Sequence, residues 1–489
     1  MGGLPKGATT LVSGTAGSGK TVLATQFLAE GIQKFDEGAV FVTFEETPGA
    51  IRKHMRGFGW DIAAWEEAGK WAFVNAVSPP DRETVELGDF DFAALLARVE
   101  NAVRKTNARR VSIDSIYALF DQFENKKLIR RELQRIASMM REMDVTTIIT
   151  AERDDEDAPV TRYGLEQFVA DNVVIMRNVR DQEKRRRMIE ILKFRGTMHQ
   201  KGDSAFTILP DQGLVIIPLS AMELEMKSST VRITSGNDDL DKTLGGGFFR
   251  DSIILVSGAT GNGKTLLTAH FIDGGAKQGE KCLLFAFEES REQLMRNATG
   301  WGIDFEQMEA DGLLRIVCAY PETASLEDHL IRMKHEMDEF QPQRIAVDSL
   351  SALERVSTIK SFREFIIAMT SWIKHAEVAG FFTSTTAALM GGTSITETHI
   401  STITDTILLM RYVELWGQMR RGLTVLKMRG SRHDKDIFEY SIDETGIHLE
   451  KPFRDVSGII SGHMAISSNP EVDRITGMFG GAEPAESDQ

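Results

Sequence analysis

Two eight-residue stretches carry the spacing of a phosphate cradle: Gly14-Thr15-Ala16-Gly17-Ser18-Gly19-Lys20-Thr21 and Gly258-Ala259-Thr260-Gly261-Asn262-Gly263-Lys264-Thr265. Both fit G-x-x-x-x-G-K-S/T, the P-loop pattern, and both stand between an apolar run and a helical pattern. The glycines let backbone N–H groups wrap around phosphate, and the following helix adds the partial positive charge of its N-terminus. In such a loop Lys20 and Lys264 reach the β- and γ-phosphates, while the hydroxyls of Thr21 and Thr265 hold Mg²⁺. A Gly-rich turn can also serve only as a tight connection, but two matches in the same context point to nucleotide binding, with ATP and Mg²⁺ as the expected ligands.

Three further sets of residues extend this chemistry. Asp114 and Asp348 each end an apolar run with a serine next, the place from which a carboxylate binds Mg²⁺ through water. The acidic pairs Glu45-Glu46 and Glu288-Glu289 each end a strand candidate about one βαβ unit past the P-loop. If that strand lies beside the P-loop strand, Glu45 and Glu288 face the γ-phosphate and can deprotonate a water or a hydroxyl, supported by Glu46 and Glu289. Glu288 also joins Thr265 and Asp348 as a candidate metal ligand. Lys193 and Arg195 in KFRG, with Lys427 and Arg429 in KMRG, are cations on a strand late in each half. They are either surface strand charges or electrophilic fingers for a nucleotide on a neighbouring subunit.

The elements that must position these groups come in duplicate. GGLPKGATTLVSGTAGSGKTVL from Gly2 pairs with GGFFRDSIILVSGATGNGKTLL from Gly246, and RRVSIDSIYAL pairs with QRIAVDSLSAL. The intervals agree: 25 positions separate Lys20 from Glu45 and 24 separate Lys264 from Glu288, while Asp114 to Lys193 and Asp348 to Lys427 both span 79. Each copy exceeds 200 residues and needs its own core, so the expected organisation is a first P-loop domain over 1–217, a linker over 218–230, a second over 231–455 and a flexible tail over 456–489. The second copy carries a lead-in, VRITSGNDDLDKTL, before its Gly pair. Either the first domain does without that segment or its start is placed too late. Within a copy, short apolar runs such as TTLVS, AVFVTF and TTIIT alternate with stretches of three and four residue periodicity, which predicts α/β domains with a parallel sheet flanked by helices.

Composition narrows the class of partner. With 42% hydrophobic and 26% charged residues the chain reads as globular. Its net charge of −15 is the wrong sign for constitutive nucleic-acid binding. Two cysteines, Cys282 and Cys318, are too few for a disulfide framework or a Cys-based zinc site. No apolar run approaches the ~20 residues of a membrane span, so a reduced cytoplasmic protein with no membrane partner is expected.

The combination resembles the KaiC family of the bacterial circadian clock, double-domain ATPases of the RecA-like P-loop class. The resemblance is carried by TFEETP around Glu45, ERDDEDAPVTRYGLEQFVADNVV from Glu152, KFRG and KMRG, and ETHISTITDT from Glu397, and it covers residues 2–453. It implies a homohexamer of stacked rings with ATP between subunits, contacted in trans by Lys193, Arg195, Lys427 and Arg429. It extends the nucleotide-binding set to Phe194, Thr197 and His199 in the first copy, and to Leu266, Trp301, Met428, Ser431 and His433 in the second. It also implies autokinase and autophosphatase activity in the second domain, with phosphorylation at Ser401 and Thr402; Thr396 lies close enough in sequence to be a secondary acceptor or a hydrogen-bond partner. The repeat supports this independently: aligning Asp405 with Asp171 sets Ser401 and Thr402 against Gln167 and Phe168, so only the second copy offers hydroxyls there. A KaiB-like partner is implied on the first-domain ring, with AVSPPDRETVELGDFD from Ala76 in that interface. The acidic tail departs from the docking helix that a KaiA-like partner captures, which leaves that partner open. Two competing readings share the P-loops: a RecA- or helicase-like DNA motor, against which the net charge argues, and a scaffold that binds ATP only to assemble.

Overall fold

The computed structural model describes residues 3–76, 89–117, 126–156, 159–160, 169–181, 184–217, 228–386, 400–454, 456–457, 459 and 465–466. Two compact units divide the chain, Met1–Ser220 and Ala221–Gln489.

In the first unit the strands are β1 (Thr9–Gly14), β2 (Gly38–Thr43), β3 (Trp71–Asn75), β4 (Ala108–Asp114), β5 (Thr146–Glu152), β6 (Asn172–Asp181), β7 (Lys184–Phe194), β8 (Asp203–Leu209) and β9 (Gly213–Ile216). They form one sheet in the order β3-β2-β4-β5-β1-β6-β7-β8-β9. The run from β3 to β6 is parallel. Its strands are buried on both faces, which explains why GAVFVT is apolar almost without interruption. Ala39 and Phe41 enter a core with Leu28 and Trp60, while Val40 and Val42 enter the opposite one with Val99 and Ile113. Beyond β6 the sheet turns antiparallel through β7, β8 and β9. This extension is absent from the parallel sheet read in the sequence. Its strands, such as KRRRMIEILKF, mix charged with apolar residues instead of forming a continuous apolar run.

The second unit opens with the lead-in. It forms β10 (Arg232–Ile233), pairs antiparallel with β11 (Phe248–Phe249), and encloses a short helix, Asp238–Thr243, capped by Asn237 through a 2.9 Å bond from Leu240 N–H. There follow β12 (Ile253–Gly258), β13 (Cys282–Ala286), β14 (Leu314–Cys318), β15 (Arg344–Asp348), β16 (Ala379–Thr385), β17 (Thr406–Leu415), β18 (Gln418–Met428), β19 (Phe438–Asp443) and β20 (Gly446–Pro452). Their order, β14-β13-β15-β16-β12-β17-β18-β19-β20, repeats that of the first sheet strand for strand.

A buried ion pair is duplicated as well. Arg344 is 1% exposed; its Nε lies 2.6 Å from Glu280, and its Nη1 donates to the carbonyls of Thr234 and Phe271 at 2.8 and 2.9 Å. Gly275 makes room for it, since a Cβ there would stand 2.6 Å from Arg344 Cδ. In the first unit Arg110 pairs with Glu37 at 2.6 Å and donates to Phe27 O at 2.8 Å, but its side chain is 16% exposed. The difference follows from the lead-in, which contributes the Thr234 carbonyl to the second pair.

Candidate functional site

In each unit the first strand runs into the phosphate loop and the loop into a helix, Lys20–Phe35 and Lys264–Ala276. Gly19 and Gly263 sit at the helix N-caps with φ of 97° and 87°, a left-handed conformation that strains any residue with a Cβ. The loop lysines are almost buried. Lys20 Nζ donates to the carbonyls of Gly14 and Thr15 at 2.9 and 3.0 Å, and Lys264 Nζ does the same to Gly258 and Ala259. Burial lowers both ammonium pKa values against the opposing pull of nearby carboxylates: Glu152, Asp114 and Glu45 in the first site, Asp348 and Glu288 in the second.

A cleft of about 630 Å³ opens at the first loop, lined among others by Lys20, Thr21, Glu45, Asp114, Ser115 and Glu152. The sequence expectation that the Glu45 strand lies beside the P-loop strand is not met, because β4 and β5 stand between β2 and β1. Glu45 reaches the cleft from beyond its strand end. Register pairs Thr43 with Asp114, so the next residues converge, and Ser115 donates its hydroxyl to Glu45 Oε1. Although Glu45 as a whole is exposed, its carboxylate lies within the cleft. Partial burial raises its pKa, Glu152 and Asp114 add to the rise, and the Ser115 bond and Lys20 oppose it. Glu46 faces elsewhere, with His54 Nδ1 3.0 Å from its Oε2.

The second site repeats the plan with different fittings. Ser349 Oγ donates to Glu288 Oε2 at 2.9 Å, and Arg355 Nη2 lies 2.9 Å from Glu288 Oε1. Asp348 is half-buried at its strand end, where desolvation raises its pKa, while hydrogen bonds from Thr383 and Thr265 oppose the rise. Glu289 is raised in the same direction by burial and accepts from Asn297 at 3.1 Å. The donor set fits a hydrated Mg²⁺ in both units: Thr21 and Asp114 line one cleft, and Thr265 bonds Asp348. Among the described residues no group of three or more His, Cys, Asp and Glu could hold a metal ion, so the remaining ligands would come from phosphate and water.

The strand cations do not join their own loop. None of Lys193, Phe194, Arg195, Thr197 or His199 lines the first cleft. Lys193 Nζ donates to Ala170 O at 2.7 Å and Arg195 lies 3.3 Å from Asp171. In the second unit Lys427 Nζ donates to Thr404 O and Arg429 Nη2 to Thr402 O, both at 2.7 Å, with Asp405 3.6 Å from Arg429. Thr402 is exposed on the short helix Ile400–Ile403, which also carries the Ser401 backbone. Leu266 and Met428 are buried in the second core, Trp301 packs against it, Ser431 Oγ accepts from Arg232, and His433 Nδ1 is buried with no hydrogen-bond partner among the described residues. Gln167, Phe168, Thr396 and residues 77–88 of the Ala76 segment lie outside the described residues.

Sequence reasoning missed several groups at these sites. Ser115 and Ser349 hold the candidate bases, and Arg187 lines the first cleft with a buried Nε that has no hydrogen-bond partner among the described residues. Arg421, its counterpart in the repeat, likewise has a buried Nε with no hydrogen-bond partner among the described residues. The repeat alignment was the available signal, since Arg187 and Arg421 both stand six positions before the strand lysines Lys193 and Lys427.

The family model of the KaiC ATPase matches residues 1–221 and again residues 233–453. The chain is 62% identical over 478 residues to the circadian clock protein KaiC3 of a Synechocystis strain, covering 98% of this chain and 94% of that protein. It is 54% identical over 477 residues to the circadian clock oscillator proteins KaiC of a Picosynechococcus strain and of Thermosynechococcus vestitus, covering 97% of this chain and 92% of each.

Proposed function

The chain belongs to the KaiC family of circadian clock ATPases, and from that premise we propose that its two phosphate loops divide labour between hydrolysis and transfer to its own hydroxyls. Residues 1–217 act as the first ATPase domain, 218–230 as a linker, 231–455 as the ATPase and autokinase/autophosphatase domain, and 456–489 as a tail. ATP bridges subunits of a homohexamer, a KaiB-like protein docks on the first-domain ring, and the protein works in the cytoplasm. Among the described residues no helix is long and apolar enough to cross a membrane.

The observation that carries this reading is the bonding of Lys427 and Arg429 to the carbonyls of Thr404 and Thr402. One surface thus presents both the cations suited to a neighbour's nucleotide and the helix bearing Ser401 and Thr402. In the first domain Glu45 takes a proton from water as its oxygen bonds to the γ-phosphorus and ADP departs. In the second, Glu288 takes the proton of the acceptor hydroxyl, whose oxygen replaces the β–γ bridging oxygen on phosphorus. Bound Mg²⁺, held by Thr21 and Asp114 or by Thr265 and Asp348, supplies charge neutralisation on the phosphates. Lys427 and Arg429 stabilise the departing nucleotide or the moving phosphoryl group.

Nucleotide between protomers adds binding energy only to the associated state. Light scattering should therefore show small species without nucleotide and a hexamer with ATP and Mg²⁺. A chain that stays monomeric at micromolar concentration under saturating ATP removes the trans roles of Lys193, Arg195, Lys427 and Arg429.

A further inference from the structure

Six positions past each loop lysine, the phosphate-loop helix sends a side chain to the turn that opens the outermost strand of its own sheet: Gln26 to β9 and His270 to β20. Gln26 Oε1 accepts from Leu214 N–H at 2.7 Å and its Nε2 donates to Leu214 O at 3.2 Å, so one amide holds both polar groups of that residue. In the second unit the two tasks are divided. His270 Nε2 accepts from Ile447 N–H at 3.3 Å, while Asn237 of the lead-in donates from Nδ2 to Ile447 O at 2.6 Å. An imidazole that accepts through Nε2 carries its proton on Nδ1. Glycines clear the way at both turns: a Cβ on Gly213 would stand 2.8 Å from Gln26 Oε1, and one on Gly446 would collide with His270 Nε2. The hairpins held in this way cover the loops. Ile208 of β8 and Ile442 of β19 lie against the left-handed loop glycines Gly19 and Gly263, where a Cβ would meet their Cδ1 at 2.8 Å, and Ile447 Cδ1 stands 3.8 Å from the same point on Gly263. Ile208 and Pro210 also line the first cleft.

We propose that Gln26 and His270 are positioning residues that latch the closing hairpin of each unit over its phosphate loop, and that protonation of His270 opens the second latch alone. The proposal rests on the reading that both loops bind ATP. An imidazolium has two N–H donors and no acceptor. Its Nε2 would face Ile447 N–H donor to donor, in a site where the side chain is only 8% exposed and water cannot take over the bond. A primary amide gains no proton in this range, so Gln26 does not respond. The groups that face His270 set the window. Asp273 and Lys277 stand on its own helix, paired at 2.7 Å, and His448 stands on β20, 3.0 Å from Asp443 of β19. The lead-in meets it with the backbone of Gly236 and the uncharged Asn237. Burial lowers the His270 pKa below its ordinary 6.5; Asp273 opposes the fall, and Lys277 and His448 add to it. The latch is therefore closed at neutral pH, and its hold is lost as pH falls below 6.5. With the hairpin released from Gly263, the second site lets nucleotide go faster while the first keeps its grip. His270 thereby makes retention of the phosphoryl donor for Ser401 and Thr402 sensitive to acid.

Two readouts on the full-length chain test it. The first is hydrogen exchange of the Ile447 amide measured against that of Leu214, which needs no bound nucleotide. Between about pH 7.5 and 5.5 protection at Ile447 should fall about tenfold relative to Leu214, and His270→Gln, which installs the first unit's own residue, should hold the ratio constant. The second is release of a fluorescent ATP analogue bound with Mg²⁺ and chased with unlabelled ATP. On the same acidification the unaltered chain should release the nucleotide of one of its two sites about tenfold faster, His270→Gln that of neither, and Gln26→His that of both. The carboxylates of the two clefts are the same in all three chains, so the differences belong to the latch. Equal acid responses in the three chains, or protection at Ile447 that follows Leu214 throughout, overturn the proposal. If His270→Gln fails to fold, Gln26→His decides alone. If the amide responds but the unaltered chain retains no analogue at neutral pH, the reading of the loops as ATP sites is what fails.

Discussion

Ser349 donates its hydroxyl hydrogen to Glu288 Oε2 over 2.9 Å, from the position directly after the strand-end Asp348. With Arg355 2.9 Å from the other oxygen, both oxygens of Glu288 are held. A base whose orientation is set before the acceptor arrives loses no rate to its own rearrangement. Ser349→Ala removes one of the two restraints, and a hydrogen bond to a charged group contributes about 1.5–3 kcal/mol, so transfer of label from γ-labelled ATP to the protein should slow by at least about tenfold. Glu288→Gln should reduce it below detection while ATP still binds. A transfer rate unchanged in Ser349→Ala would reduce that serine to a packing residue.

Glu45 sets the acid limit of hydrolysis. Its carboxyl pKa is raised chiefly by burial, with Glu152 and Asp114 adding to the rise. A raised pKa means the base takes up its proton at a higher pH than an ordinary carboxylate, so hydrolysis should begin to fail on acidification while exposed carboxylates are still ionised. Phosphate release measured across pH 4.5 to 8 should show that limb in the unaltered chain. In Glu45→Gln hydrolysis should drop by about 10²-fold or more, with the residual rate flat across it. Glu46→Gln, whose carboxylate is spent on His54, should leave most activity. A larger loss from Glu46→Gln than from Glu45→Gln would reverse the assignment.

The buried Arg344–Glu280 pair should matter more to stability than its first-unit counterpart. Glu280→Gln leaves a guanidinium 1% exposed without its counter-charge, and breaking such a pair costs about 3–5 kcal/mol. Glu37→Gln should cost less, because Arg110 retains access to water. Calorimetry of the two variants checks the order, and a smaller melting shift for Glu280→Gln would contradict it.

How much of this was legible in the sequence depends on whether the signal was local. The phosphate loops could be read outright, because their chemistry lies in eight consecutive residues and the repeat supplied a second copy. Asp114 and Asp348 were legible for the same reason, as ends of buried strands. The position of Glu45 was legible only in outcome. Strand order is a non-local property, and a carboxylate just past a strand separated from the loop strand by two others arrives at the cleft through Ser115, which no spacing rule announces. Of the antiparallel strands β7 to β9 only the end of β7 at KFRG was read as strand; the start of β7 escaped because the charged run KRRR hides a half-buried strand. Glu152 was visible as a residue but not as a partner of Lys20, since 132 positions separate them and only the β1–β5 pairing joins them.

The acceptor assignment rests on hydroxyls present in one copy alone. Thr402 is exposed, and its carbonyl already accepts from Arg429, so phosphorylation there places new charge within reach of a cation proposed to serve the neighbouring nucleotide. A phosphate carries about −1.5 to −2 charges at neutral pH, enough to compete with Asp405 for that guanidinium, 3.6 Å away. Adjacent acceptors filled in turn give more than two charge states at one boundary, each with its own demand on Arg429. After incubation with γ-labelled ATP and Mg²⁺, phosphopeptide mapping should find label on the peptide containing Ser401 and Thr402. Ser401→Ala with Thr402→Ala should abolish it while nucleotide binding and first-domain hydrolysis persist. Undiminished labelling of that double variant would move the acceptor elsewhere, and label on the first-copy peptide spanning residues 167–168 would remove the asymmetry on which the division of labour stands.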